Sequence, residues 1–581
     1  MKKLLAVLLC LVMVLSLFAG CNQGTTPTTT APKATNPPAT SGNKPAGTTA
    51  PQTTAKEEPT KVVIALPISA NVQDYDTNDF TLWIEETCNV EIEFMKLQTA
   101  AADYKAQLST MFLDSSAILP DIYWGFNIDE LYAQYGDDGY FLDLTPYYED
   151  KEGASAIFWG RMDVLRAFDP VYAATIEKKL HVESGAIYAV PTVEVSLGDT
   201  IDTVACINQD WLTKLNLEMP TDCESLYKVL VAFRDGDPNG NGKKDEVPIM
   251  GRMGYCAYPI DWLTNMFIYT DREVWWNAED GTGKIYMPYI TDKYREALQW
   301  MNKLCKEGLL SESIFSITNA EVKGMFNVAT KEEQTIGIVL GHPTSIMDTT
   351  CPALQSYKCM PYWGAINTTE YGHSFRAFIS GYTEVPDKAF EILMTIHSLE
   401  GAARMRLGVY GKDYKEADPG QVNSTGDPAL YQRLGPDFWG TVHNKSWSSM
   451  CACSSYYNVD FVIAAGQNQA ADPIVQHRGQ LNTDKVIYMR EAKEKYNPKL
   501  ELPKIVWTTA DKEAIGDIRT NCENWIKACR ASFITGSGEG YTDPYDDAQW
   551  AAYIDELNKM GLADWQKIVT RIYKDQGLAV S

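Results

Sequence analysis

The sequence predicts an α/β protein with a largely parallel sheet, divided into more than one lobe, on three observations. A chain of 581 residues is too long for a single hydrophobic core. From residue 61 onward, short β-branched runs alternate with segments of helical spacing, the order that builds α/β layers. The C-terminal third carries repeated helical patterns. Taken in order, KVVIALP from Lys61 reads as a buried strand, FTLWIEETCNV within about 75–90 as a helix, and VEIEFMKL as an alternating strand. AADYKAQLSTMFL (101–113) has helical spacing, and LPDIYWG reads as a strand running into a loop. Pro220-Thr221-x-x-Glu224 has the spacing of a capping box opening a helix that ends near Arg234. WTTADKEAIGDIRTNCENWIKACRASFITG predicts a capped helical run, and DDAQWAAYIDELNKMG and ADWQKIVTRIYKDQG repeat the pattern, each ending near Gly.

Residues 1–21, MKKLLAVLLCLVMVLSLFAGC, combine a basic start, an apolar run and small residues before a cysteine, which is a secretory signal. Cys21 after Ala19-Gly20 resembles a bacterial lipobox, with Phe18 where Leu is most common; the resemblance implies that Cys21 is acylated and begins the mature chain. An ordinary signal with an incidental cysteine is the alternative. The run from Leu4 to Phe18 is short of the ~20 residues a bilayer needs, and no later segment is long and apolar enough to span one. Residues 22–60 contain no large apolar side chain, so this Thr/Pro-rich stretch is expected to be a disordered linker.

A net charge of −25 repels phosphate backbones and argues against a nucleic-acid partner. Aromatics reach 11%, with 15 Trp and 32 Tyr; most must be core, and a surplus suits stacking on sugar faces. Of 13 cysteines, Cys10 leaves with the signal and Cys21 takes the lipid, and no remaining pair has zinc-ribbon spacing. Most are expected as buried thiols, with Cys351–Cys359 the one candidate bridge.

The run LPDIYWGFNIDELYAQYG resembles the cleft-edge stretch of maltodextrin-binding and related extracytoplasmic solute-binding proteins (family 1). The resemblance continues in order through SGAIYAVPTV (184–193), CINQDWLTKLNLEMPTDCESLYKVLVAFR (206–234), TIGIVLGHP (335–343) and VPDKAFEILMTIHSLEGAARMRLGVYGKDY (385–414). It implies a two-lobe, periplasmic-binding-protein-like (type II) fold that closes on ligand by hinge bending. Lobe 1 would be 61–146 plus 355–398, and lobe 2 would be 147–354 plus 399–581. The implied function is capture of an oligosaccharide for an ABC permease by a monomeric lipoprotein on the outer face of a Gram-positive cell membrane. The same fold binding peptide, polyol or a uronic-acid polymer is one alternative.

DPNGNGKKDE (Asp237 to Glu246) places oxygen donors at alternate positions, with Gly242 at the sharp bend of an EF-hand-like loop. Asp237, Asn239, Asn241, the Lys243 carbonyl, Asp245 and Glu246 form a hard-oxygen set that favours Ca²⁺. Position twelve is Pro248, so the usual bidentate Glu is missing; a solvated Asn-Gly turn without an ion is the alternative. The loop is similar to one in alginate-binding relatives, which implies a structural calcium.

For the ligand, Trp124 at a strand end and Asn127 beyond it are the first candidates, a stacking ring and a hydroxyl partner. Trp262 resembles a lobe-2 platform, Trp363 would complete a sandwich, and Tyr410 and Trp439 follow. Six scattered histidines, and the absence of a G-x-S-x-G, Walker or HExxH motif, leave no recognised catalytic arrangement. Binding without turnover is expected. A carbohydrate-active lipoprotein using two of the 76 acidic residues is the other alternative.

Overall fold

The computed structural model describes residues 58–581 apart from 129–130, 169, 193–203, 252–257, 273, 342–350, 367–373, 424–427, 436–437, 439–440, 448–472, 506 and 539. The first sheet is built from β1 (Thr60–Pro67), β2 (Val90–Leu97), β3 (Ile122–Trp124) and β4 (Val190–Thr192). The second begins with β5 (Ala205–Asn208) and β6 (Val247–Gly251). A two-residue pair, β7 (Asn277–Ala278) with β8 (Ile285–Tyr286), precedes β9 (Ile336–Leu340) and β10 (Tyr357–Cys359). After β11 (Ser374–Ile379) comes a short ribbon of β12 (Tyr414–Glu416) and β13 (Tyr431–Arg433).

The strands run β2-β1-β3-β11-β4 in one sheet and β10-β5-β9-β6 in the other. β1 is parallel to β2 and β3, whereas β11 is antiparallel to both β3 and β4. The end of β4 and the start of β11 therefore lie at the same end of the first sheet, the one where β1 and β3 finish. In the second sheet β5 and β10 are antiparallel, so the start of β5 and the end of β10 also share one end. The chain crosses from β4 to β5 and returns from β10 to β11, both connections leaving from these matching ends, and it passes to the second core again between Trp447 and Leu481.

Period-two alternation sorts the first sheet into two buried faces. Val62, Ile64, Leu66, Ile122, Trp124, Ala377 and Ile379 face a core formed with helices Asp79–Cys88 and Pro386–Ile396. Ala65, Tyr123 and Phe378 face the other way, toward helix Ala101–Leu113, joined by Phe375 because the register of β11 shifts between Phe375 and Ala377. The second sheet shares one large core with the C-terminal helices, where Cys522, Ile526, Cys529 and Phe533 line the buried face of helix Ile518–Thr535.

Sheet membership moves the expected lobe boundaries. Helices Ala156–Phe168 and Pro170–Leu180 insert Phe158, Met162, Ala173, Ile176 and Leu180 beneath the first sheet, and β4 belongs to it. The first crossing thus falls after residue 192 rather than at 146. On the return, β10 still pairs in the second sheet, beyond the expected switch at 355. Met405 and Trp447 pack in the first core, so part of the chain after 399 also lies with lobe 1. Each amphipathic segment follows whichever sheet its apolar face covers, which a linear pattern of elements does not specify.

Two smaller differences concern helix ends. The cap opening helix Cys223–Asp235 is Asp222 with Ser225, one residue later than Thr221–Glu224: Asp222 Oδ1 accepts from the Ser225 N–H at 2.7 Å, and Ser225 Oγ accepts from the Asp222 N–H at 3.1 Å. The run after Trp507 is two helices, Thr509–Ile515 and Ile518–Thr535, separated at Gly516, whose φ of +46° suits glycine.

Candidate functional site

The return crossing is held to the second lobe by its own hydrogen bonds. The Ile366 N–H donates to Asn497 Oδ1 at 2.7 Å, and Asn497 Nδ2 donates to the Ile366 carbonyl at 2.9 Å. Upstream, the Ala365 N–H donates to the Asn265 carbonyl at 3.0 Å. Asn265 Oδ1 accepts from both the N–H and the hydroxyl of Thr270, at 2.9 and 2.7 Å, fixing the loop that follows helix Pro259–Thr264.

One of the expected aromatics, Trp262, packs here on the residue that precedes another, Trp363. Trp262, on that helix, stacks on Tyr362 with ring centroids 4.7 Å apart and planes at 26°. The Tyr362 hydroxyl donates to the Trp262 carbonyl at 2.7 Å. Trp363 follows on the crossing and is half-buried, while Trp262 is only 5% exposed. The Trp262 indole nitrogen is buried with no hydrogen-bond partner. Nearby, the Arg272 guanidinium lies 3.2 Å over the Tyr258 ring. Sequence reading passed over Arg272 and Tyr258; an Arg spaced fourteen residues from a Tyr across a loop carries no periodic signal.

Trp124 is a correction. It is 0% exposed, within the first core, edge-on to Trp447 at 6.0 Å and His397 at 5.4 Å. Parity explains the placement, because Trp124 shares its face with Ile122 and not with Tyr123. Asn127, past the end of β3, is exposed, and its N–H donates to the Tyr104 hydroxyl at 3.1 Å. Tyr410 stands apart from Trp262 and Trp363: it is 42% exposed beside the β12–β13 ribbon, edge-on to Tyr414, with its hydroxyl on Glu416. Trp439 and Cys21 lie outside the described residues. The candidate bridge Cys351–Cys359 is not formed; Cys351 Sγ donates to the Phe326 carbonyl at 3.4 Å instead.

The loop after helix Cys223–Asp235 is wound tightly. Asp237 (φ +45°), Gly240 (+76°) and Gly242 (+74°) adopt left-handed backbone, so Asp237 Oδ1 accepts from the Gly240 N–H at 3.0 Å. Asn239 and Asn241 donate to Asp245 Oδ1 at 3.3 and 3.2 Å, and the Lys243 N–H donates to Asn241 Oδ1 at 2.7 Å. Glu246 Oε1 is buried and has no hydrogen-bond partner. Burial first, then the charges of Asp245 and Asp237, push the Glu246 carboxyl above its ordinary range. Clustered, under-compensated oxygens of this kind fit a hard cation. Among the described residues no group of three or more His, Cys, Asp or Glu forms a metal cluster; two donors here are asparagines and one is a backbone carbonyl.

No protein-family model matches the chain. It is 25% identical over 410 residues to the fructooligosaccharide ABC transporter substrate-binding protein FusA of Streptococcus pneumoniae, covering 67% of this chain and 69% of FusA. An extracellular solute-binding protein from Bifidobacterium longum subsp. infantis superposes with a TM-score of 0.65 at 18% identity, over 89% of this chain and 98% of that one. This is the two-lobe solute-binding-protein fold. An EF-hand mutant of FusA in complex with fructo-nystose has a TM-score of 0.61 at 20% identity, covering 89% of this chain and 99% of that one. Among the described residues of the solute-binding fold seen here, no helix is long and apolar enough to cross a membrane.

Proposed function

We propose that this chain is the substrate-binding lipoprotein of an ABC importer, capturing an oligosaccharide between its lobes for a permease. The observation carrying the reading is the aromatic wall at the return crossing of a two-lobe fold, in a chain related in sequence to a fructooligosaccharide binder. Trp363 presents the stacking face, Trp262 and Tyr362 support it, and Asn127 supplies hydroxyl contacts from the first lobe. The chain acts as a monomer without catalysis. Cys21 carries the lipid that holds it to the outer face of the membrane of a Gram-positive cell, through the linker 22–60.

The test is isothermal titration of the full chain with kestose, nystose, maltodextrins, oligogalacturonate, a tripeptide and sorbitol. Saturable binding of a neutral oligosaccharide is expected. Trp363→Ala should weaken it at least about tenfold, roughly the ~1.4 kcal/mol of one aromatic stacking contact. Binding only of the peptide, polyol or uronate, or hydrolysis of any sugar in the panel, overturns the reading.

The loop from Asp237 to Glu246 holds a structural calcium ion through Asp237, Asn239, Asn241, the Lys243 carbonyl, Asp245 and Glu246. Calcium at 100 times its Kd should raise stability by about 2.7 kcal/mol, read as a melting-temperature difference against chelator. Asp237→Ala and Asn241→Ala should remove that difference, leaving in chelator only the smaller loss of their own loop hydrogen bonds. In chelator, the raised Glu246 carboxyl makes protonation favour the folded state, so stability should fall as pH climbs from about 4.5 through the raised folded value. Calcium should suppress this dependence. Equal melting temperatures with and without chelator in the parent protein would remove the ion from the proposal.

A further inference from the structure

The geometry points to a disulfide cross-link site between Cys206 and Cys359, which would tie the two crossings together at their root in the second sheet. The two residues are directly opposite in the antiparallel pairing of β5 and β10, with Sγ atoms 3.4 Å apart. The Met360 N–H donates to the Ala205 carbonyl at 2.8 Å, which makes Ala205 and Met360 a hydrogen-bonded pair. Ladder bonds alternate, so the next pair, Cys206 and Cys359, is a non-hydrogen-bonded one, with Cα atoms about 4.5 Å apart. That spacing lies inside the span of about 4.4–6.8 Å that disulfides bridge, and rotation of the two side chains brings the sulfurs to bonding distance. β5 starts just after the first crossing and β10 ends just before the second, so the bond would fix the crossings to each other.

Formation joins the two sulfurs while both thiols lose their protons. The two electrons pass to a small-molecule disulfide, whose own S–S bond breaks to give two thiols. Cys206 and Cys359 are 0% and 3% exposed, and burial pushes the Cys206 thiol well up, which keeps the thiolate scarce in the folded protein. Exchange therefore belongs to folding, while β10 docks on β5, rather than to the finished sheet.

The full chain, unfolded in urea with reductant, is refolded in a mixture of reduced and oxidised glutathione, alkylated, and digested without reduction. Mass spectrometry should recover a peptide pair joining Cys206 to Cys359, two hydrogens lighter than the separate peptides. The cross-linked protein should then unfold at a higher urea midpoint than the same sample refolded in reductant alone. In Cys206→Ser, Cys359 should be recovered alkylated. Recovery of both cysteines fully alkylated in the parent chain, or of Cys359 joined to Cys351, overturns the assignment. These readouts need no ligand, so the result stands apart from the transport reading.

Discussion

Trp124→Ala should lower unfolding free energy by about 3–5 kcal/mol, the usual cost of deleting a large ring from a close-packed core, while leaving oligosaccharide affinity of the folded protein unchanged. The ring is wholly enclosed, and its neighbours Trp447 and His397 come from distant parts of the chain. Trp447 is itself anchored, its indole N–H donating to Thr81 Oγ1 at 2.9 Å, so the surrounding atoms have little freedom to close on a cavity. Urea unfolding followed by tryptophan fluorescence reads the first quantity, and titration well below the unfolding midpoint reads the second. Lost affinity with unchanged stability would restore Trp124 to the binding surface.

Arg530→Met should cost a comparable ~3–5 kcal/mol, through charge rather than volume. Arg530 Nη1 donates to Asp261 Oδ1 at 2.6 Å, and the two side chains are 10% and 4% exposed. Burial would lower the Arg530 pKa, yet the adjacent Asp261 carboxylate holds it above the ordinary value. Removing the guanidinium leaves that carboxylate buried and unpaired, whereas Asp261→Leu combined with Arg530→Met should recover most of the loss. Asp261 precedes Trp262 on the short helix behind the crossing, so the single variant should also weaken sugar binding and the double variant should restore it. A single variant as stable as the parent would mean that water reaches the pair.

Local order in this chain was legible because local rules produce it. Strand β1 in KVVIALP, the alternation of β2, helix Ala101–Leu113 and the last two helices all appear where their periodicity predicts. What long-range pairing decides was not legible. Nothing in LPDIYWG says that β3 lies between β1 and β11 with a core on each of its faces, so a tryptophan beside a glycine looked like a surface ring. With both faces of β3 buried, parity decides only that Trp124 joins the core of Ile122 and not that of Tyr123. The lobe boundaries failed for the same reason, since helices 156–180 are amphipathic and either sheet could accept them. Trp262 and Trp363 were each visible as aromatics. The path of the crossing that carries Trp363 is held by Asn265 and Asn497, two asparagines whose backbone-holding roles have no sequence pattern. The tight winding of the loop from Asp237 to Glu246 was the reverse case, because its geometry is encoded within ten consecutive residues.

The amino end of β1 sits at the pole of the first sheet opposite the one from which both crossings depart. Under the proposed lipid anchor at Cys21, tension entering at Thr60 would fall on the back of that lobe and leave the pole of the crossings facing away from the membrane.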